Sequence, residues 1–229
     1  MVDGAFYLQR HYKFFKNQVK HYSPQRVARD VYLHGMKHVR KKENEEIYRI
    51  LFYDCRPVTK KVHHPLTNQV VDLSKSDTAM FRTEFFEKLV RQPMVALRLG
   101  ELDEKNARWR IRDPKKHKQV ITGRLNPNEL GEDDYYYHAN QKGVDMKIGT
   151  DIATLTLKKL VSKIILVAGD SDFVPASKLA RREGVKFVLD PMGQNIRADL
   201  SEHIDALDTT IPKDLLSNGK EKQRIKAKQ

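Results

Sequence analysis

Asp170 and Asp172 stand one residue apart, directly after the apolar run Ile164–Ala168. A helical pattern over Val174–Glu183 and a second apolar run, Val185–Leu189, follow. This order predicts a β-α-β unit, and in open α/β sheets the carboxyl ends of such strands open onto the ligand crevice. Two like charges there raise each other's energy, and a divalent cation removes that cost. A helix start needs only one capping carboxylate, so the pair exceeds what capping of the following helix requires. Two further aspartates are placed to join them. Asp3 follows the short apolar start of the chain, and Asp145 opens a helical pattern inside Lys142-Gly143-Val144-Asp145. Each also has an ordinary structural use: Asp3 with Gly4 suits a turn, and Asp145 suits the first turn of a helix. Magnesium and manganese take hard oxygen ligands with waters completing an octahedron. Such an ion acidifies bound water and stabilises charge on a phosphoryl oxygen, which is the chemistry of phosphodiester hydrolysis.

Asp151, Lys142 and Ser171 form a second tier. Six residues along a helix turn the chain by about 240°, so Asp151 shares no face with Asp145 unless the helix bends at Gly149. It is read as a water-mediated ligand or a family feature and not as a direct ligand. Lys142 is placed to contact a scissile phosphate. The sequence contains no nucleophile–base pair, since its one cysteine and scattered histidines form no such arrangement. His63-His64 has no further ligand at zinc spacing and reads as a solvated loop. Asp54, beside Arg56, reads as a surface pair.

The net charge of +13 favours a polyanionic partner, because nucleic-acid binding draws free energy from counterion release. Arg40, Lys41 and Lys42, the cluster Lys115, Lys116 and Lys118, and Lys142 are the expected phosphate contacts, although each run alone is an ordinary solvated face. Tyr135-Tyr136-Tyr137 offers rings for stacking on single-stranded bases. A single cysteine, Cys55, excludes an internal disulfide and a multi-thiolate zinc site. That usage, with no secretory pattern at the start and no apolar run of membrane-spanning length, leads to the expectation of a reducing, cytoplasmic compartment.

The elements that would position these groups alternate between strand and helix. A stubby first strand ends at Asp3, unless residues precede it. Ser23-Pro24 starts a helix that runs to about Lys37. Glu45–Tyr53 is a second core strand, and Val58–Ser76 is a long connection. Asp77–Val90 and Val144–Val161 are amphipathic helices, and Val95–Leu99 and Trp109–Ile111 are strands. Residues 113–140 follow no clean period. Ala198–Leu207 is a last helix. Four or five strands in one domain, residues 1–210, with a basic and disordered tail at 211–229, make an α/β protein with a mostly parallel central sheet.

Asp3-Gly4, then Lys142-Gly143-Val144-Asp145 with Asp151, then Gly169-Asp170-Ser171-Asp172-Phe173, in this order, resemble the NYN domain of the PIN-like nuclease superfamily. Leu73-Ser74 with Phe81-Arg82 resembles its variable middle region. Many relatives carry asparagines after the first aspartate, where this chain has Gly4-Ala5-Phe6. The resemblance implies a PIN-like three-layer α/β/α sandwich over roughly Val2–Leu207. It also implies an acidic cluster of Asp3, Asp145, Asp170 and Asp172 holding Mg²⁺ or Mn²⁺. The expected activity is that of a metal-dependent ribonuclease, an endonuclease acting on single-stranded RNA through an activated water. The alternatives are a non-catalytic RNA- or protein-binding NYN module and a DNA-cleaving nuclease.

Overall fold

The computed structural model describes residues 1–17 and 22–211. In chain order its strands and helices are β1 Val2–Asp3, α1 Gly4–Phe15, α2 Pro24–Lys37, β2 Ile50–Cys55, β3 Lys61–His63, β4 Val70–Asp72, α3 Asp77–Leu89, β5 Val95–Leu102, β6 Arg108–Ile111, α4 Pro114–Ile121, β7 Tyr135–His138, β8 Gln141–Lys142, α5 Val144–Leu157, β9 Lys163–Val167, α6 Val174–Arg182, β10 Lys186–Asp190, α7 Ala198–Ser201 and β11 Ala206–Leu207. Seven strands form the main sheet in the order β11-β10-β9-β1-β2-β5-β8, flanked by helices. From β11 to β2 every resolved pairing is parallel, with Val2 opposite both Phe52 and Val167 and with Asp190 opposite Val167. The architecture is the mostly parallel α/β fold expected from the sequence.

The chain divides into two compact units. The first holds Met1–Asp54, Glu84–Gly100 and the chain from Gly143 on. Its strands are buried on both faces, so β2 and β10 read as near-continuous apolar runs, with Phe52, Tyr53, Phe187 and Leu189 all fully buried. Helix α2 forms where the sequence marks it: the Ser23 hydroxyl accepts from the Arg26 amide at 3.3 Å, and Pro24 fills the first helical position. Val27, Val31 and His34 lie on its buried face. Helix α5 starts at Gly143, whose φ of 76° lies in the left-handed region that only glycine adopts cheaply. Val144, Ile148, Ile152 and Thr156 then recur every four residues along its buried side.

The second unit holds Cys55–Thr83 and Glu101–Lys142. It contains two antiparallel hairpins: β3 with β4, where Val62 faces Val71, and β6 with β7, where Trp109 faces Tyr137. Its β5–β8 pairing sets Glu101 opposite Lys142. The Asp113 carboxylate caps α4 by accepting from the Lys115 amide at 2.8 Å.

Several elements depart from the periodicity reading. The described residues hold eleven strands in place of the expected four or five, because two- and three-residue strands are too short to show an alternation. Residues 58–76 hold a hairpin, and 113–140 hold α4 and β7. The last helix is only Ala198–Ser201, and the chain then re-enters the sheet as β11. Helix α1 was not anticipated at all. It starts immediately after β1 because Asp3 itself is the cap, accepting from the Phe6 amide at 3.1 Å. Gly4 is required there: a Cβ would come within 2.6 Å of the Tyr53 carbonyl oxygen. The basic tail expected at 211–229 lies, apart from the buried Ile211, outside the described residues.

Candidate active site

Adjacent parallel strands deliver carboxylates at or just beyond their ends. Asp3 closes β1 and lies in register with Tyr53, one residue before Asp54 on β2. On the other side of β1, β9 leads into Asp170. Asp3 is half-buried, and its carboxyl is pushed up to about 6 by burial, with the charges of Asp145 and Asp54 adding to the effect. The amides of Phe6 and Ala5 oppose that shift without cancelling it. Asp145 lies open at the start of α5, yet partial desolvation, and then the charges of Asp170 and Asp172, raise its carboxyl as well. Asp170 and Asp172 are exposed at the 3-10 turn Ser171–Phe173, where Asp170 Oδ1 accepts from the Asp172 amide at 3.2 Å. Asp170, not Asp172, therefore makes the local turn contact.

These acids form an electrostatically linked series, Asp54–Asp3–Asp145–Asp170/Asp172. Their oxygens remain apart: among the described residues, no three of these carboxylates bring ligand atoms within 4.8 Å of one another. Asp54 is fully buried on β2, where its charge reaches Asp3, so it does not take the surface position expected beside Arg56. Strand β2 ends at Cys55, and Arg56 lies past that end and is exposed.

The second tier sits elsewhere in its units. The rotation along α5 carries Asp151 to Tyr53 and Arg98. The Tyr53 hydroxyl donates to its Oδ2 at 2.8 Å, and Arg98 bridges both oxygens at 2.9 and 2.7 Å. Burial, followed by that acceptor, pushes the Tyr53 phenol far up, so it stays protonated as a donor. Lys142 pairs with Asp103 at 2.9 Å, and Asp103 is also held by Asn106 at 2.7 Å. Lys116 pairs with Asp134 at 2.6 Å, and Arg40 pairs with Glu43 at 3.2 Å. Lys41, Lys42, Lys115 and Lys118 are exposed. Tyr135, Tyr136 and Tyr137 are half-buried in β7; Trp109 meets Tyr137 edge-on at 5.6 Å, and Lys60 lies 5.2 Å over the Tyr137 ring. His64 is buried against Trp109 and Tyr135, so it is part of that unit's small core and not a solvated loop residue. Cys55 is buried, and its thiol donates to the Glu101 carbonyl at 3.2 Å.

Among the described residues, the one group of three potential ligands within 4.8 Å is His34, His38 and Asp190, all buried. His34 Nε2 and His38 Nε2 lie 2.9 and 3.0 Å from the same oxygen, Asp190 Oδ2. Burial alone would raise the Asp190 carboxyl, but hydrogen bonds from the two imidazoles overcome it and hold the group well below the usual carboxylate range. Burial lowers His34 despite that partner. The sequence did carry a signal for this group: two histidines four apart on the buried face of α2, the spacing that stacks side chains on a helix.

No curated protein and no solved structure matches the chain. The family model described as the NYN domain matches residues 99–207. That span includes Asp145, Asp151, Asp170 and Asp172, while Asp3 and Asp54 precede it. Among the described residues no helix is long and apolar enough to cross a membrane. A mostly parallel sheet with aspartates at its strand ends accompanies that match, and over residues 99–207 the chain is similar to the NYN domain, a PIN-like nuclease family whose members typically act on nucleic acids and usually use divalent metals.

Proposed function

We propose that the chain is a metal-dependent endoribonuclease whose reaction takes place at the Asp3, Asp145, Asp170 and Asp172 carboxylates, with Asp54 as a fifth, buried member. The observation that carries this reading is the placing of Asp3, Asp145, Asp170 and Asp172 at strand ends and a helix start, near enough that, after burial, the charges of their acidic neighbours also raise Asp3 and Asp145. A fold that keeps like charges close at its strand ends is suited to a cation. The donors are all carboxylate oxygens, which fits Mg²⁺ or Mn²⁺ and does not suit softer ions. When bound, such an ion supplies Lewis-acid stabilisation of phosphoryl charge and an acidified water.

The chain's own residues do the rest. Asp3 is fixed by the Phe6 amide, so its carboxylate enters the crevice in one orientation. Asp145, open to solvent and raised by burial and by its acidic neighbours, is placed to accept a proton. The exposed Asp170 and Asp172 are free to adjust to substrate and ion. The exposed lysines of each unit, Lys41 and Lys42 in the first and Lys115 and Lys118 in the second, would contact RNA phosphates with release of counterions.

The wider separation of the carboxylate oxygens favours one alternative, a module that binds RNA without cleaving it. The two readings separate in one experiment. Purified protein is incubated with labelled single-stranded RNA and a matched DNA oligonucleotide, with Mn²⁺ or with chelator, alongside Asp170→Asn. Manganese-dependent RNA fragments that vanish in the variant, with RNA affinity kept within a few-fold, support the ribonuclease. Binding with no fragments supports the module, and fragments from DNA alone would make the chain a DNA nuclease.

A further inference from the structure

We infer that His34, His38 and Asp190 form a second, nitrogen-rich metal site that takes a borderline transition ion, Zn²⁺ by preference, and ties α2 to β10. The inference is independent of the nuclease reading, since none of these residues belongs to the acidic series. Both Nε2 atoms converge on one carboxylate oxygen at 2.9 and 3.0 Å. Zinc bonds of about 2.0–2.1 Å would set tetrahedral neighbours about 3.3 Å apart, so an ion enters with shifts of a few tenths of an ångström. Two imidazoles and one carboxylate suit Zn²⁺, whereas Mg²⁺ and Ca²⁺ prefer oxygen alone.

The outer nitrogens point the same way. His34 Nδ1 lies 3.0 Å from the Thr210 hydroxyl, and His38 Nδ1 lies 3.5 Å from Asp208 Oδ2. With no ion, both rings must donate through Nε2 to Asp190. A neutral His38 then turns a bare Nδ1 lone pair toward the Asp208 carboxylate, and that buried atom has no hydrogen-bond partner. With an ion on the Nε2 lone pairs, each Nδ1 carries the proton. His38 then donates toward Asp208, and His34 donates to Thr210. Metal-bound histidines commonly direct their second nitrogen to a carboxylate or another oxygen in this way. Asp190 is already oriented, because its other oxygen accepts from the Met192 amide at 2.7 Å. A cavity of about 370 Å³, with His34 and His38 in its wall, gives an ion a route to the site. The rival explanation is a metal-free cluster in which His38 is an imidazolium donating from both nitrogens.

The test uses the whole chain, stripped with chelator and then supplied with Zn²⁺ or Co²⁺. The Asp170→Asn variant serves as the background that weakens the acidic site. We expect one zinc equivalent to survive gel filtration in both wild type and Asp170→Asn. The melting temperature should rise by roughly 10 °C at a thousandfold excess over Kd. Cobalt should give the intense visible bands of four-coordinate N/O ligation, with two shifted exchangeable imidazole protons in the NMR spectrum. His38→Gln should lose the zinc and the thermal shift. If that variant fails to fold, the wild-type cobalt spectrum decides alone. A wild-type protein that retains no zinc, melts unchanged and gives only the weak bands of six-coordinate oxygen-bound cobalt overturns the inference in favour of the metal-free cluster.

Discussion

Asp3 and Asp190 close parallel strands separated only by β9, yet their carboxyls are driven in opposite directions. Asp3 stands among Asp54 and Asp145, so burial and like charge both favour its protonated form. Asp190 is buried more completely, but two imidazoles face it and keep it ionised. Burial depth therefore does not decide the state of a strand-end carboxylate; the charge of whatever the neighbouring elements bring to it does. One region gathers like charges that a bound cation would offset. In the other, the protein has supplied most of the compensation itself. The first arrangement stores free energy for binding, and the second puts it into the fold.

Removing the compensated partner should have the largest effect on stability. Asp190→Ala leaves two histidines facing a void and should destabilise the chain by about 3–5 kcal/mol, read from urea melts; a loss below 1 kcal/mol would show that the cluster contributes little. At the acidic series the corresponding change should spare the fold. Asp170→Asn should lower metal-dependent cleavage by about 10²–10³-fold while the melting temperature without metal stays constant or rises. Unchanged turnover in that variant would remove Asp170 from the reaction.

Asp3→Asn sharpens the contrast through pH. The folded carboxyl titrates at about 6, above its ordinary 3.8. Below both values the wild-type group is neutral in both states and costs nothing. As pH rises from about 4 to 6, the unfolded chain loses the proton first, so wild-type stability falls and then levels off. The neutral asparagine can still cap α1. It should therefore stabilise the chain by up to about 3 kcal/mol at pH 8, with the gain gone near pH 4. Equal effects at both pH values would contradict a raised Asp3 carboxyl. Last, Tyr53→Phe removes one donor from Asp151, which Arg98 still holds, and should cost only about 1 kcal/mol with no change in cleavage. A large loss of activity there would bring Asp151 back into the site.

The β9–α6–β10 unit and its two following aspartates were legible because apolar runs of five residues and a nine-residue amphipathic helix dominate their local sequence. Helix α2 was equally plain from Ser23-Pro24, and Gly143 marked the start of α5. Helix α1 was not, since Asp3 serves at once as strand end, helix cap and acidic ligand candidate, and Gly4 reads locally as a turn. Its reason for being there is the Tyr53 carbonyl, fifty residues away in sequence. Asp54 was misread for the same kind of reason: adjacency to Arg56 is visible along the chain, while burial beside Asp3 is a property of strand pairing.

Local patterning, then, determined the alternation of strand and helix, the positive surface and the identity of most of the acids, because those follow from residue type and short-range spacing. Only the tertiary structure decided which acid meets which charge. It joined His34 and His38 to Asp190 across more than 150 residues, turned Asp151 toward Arg98, and brought Asp3 against Asp54 and Asp145. The electrostatic state of a carboxylate depends on neighbours within a few ångströms, and parallel pairing draws those neighbours from distant parts of the chain.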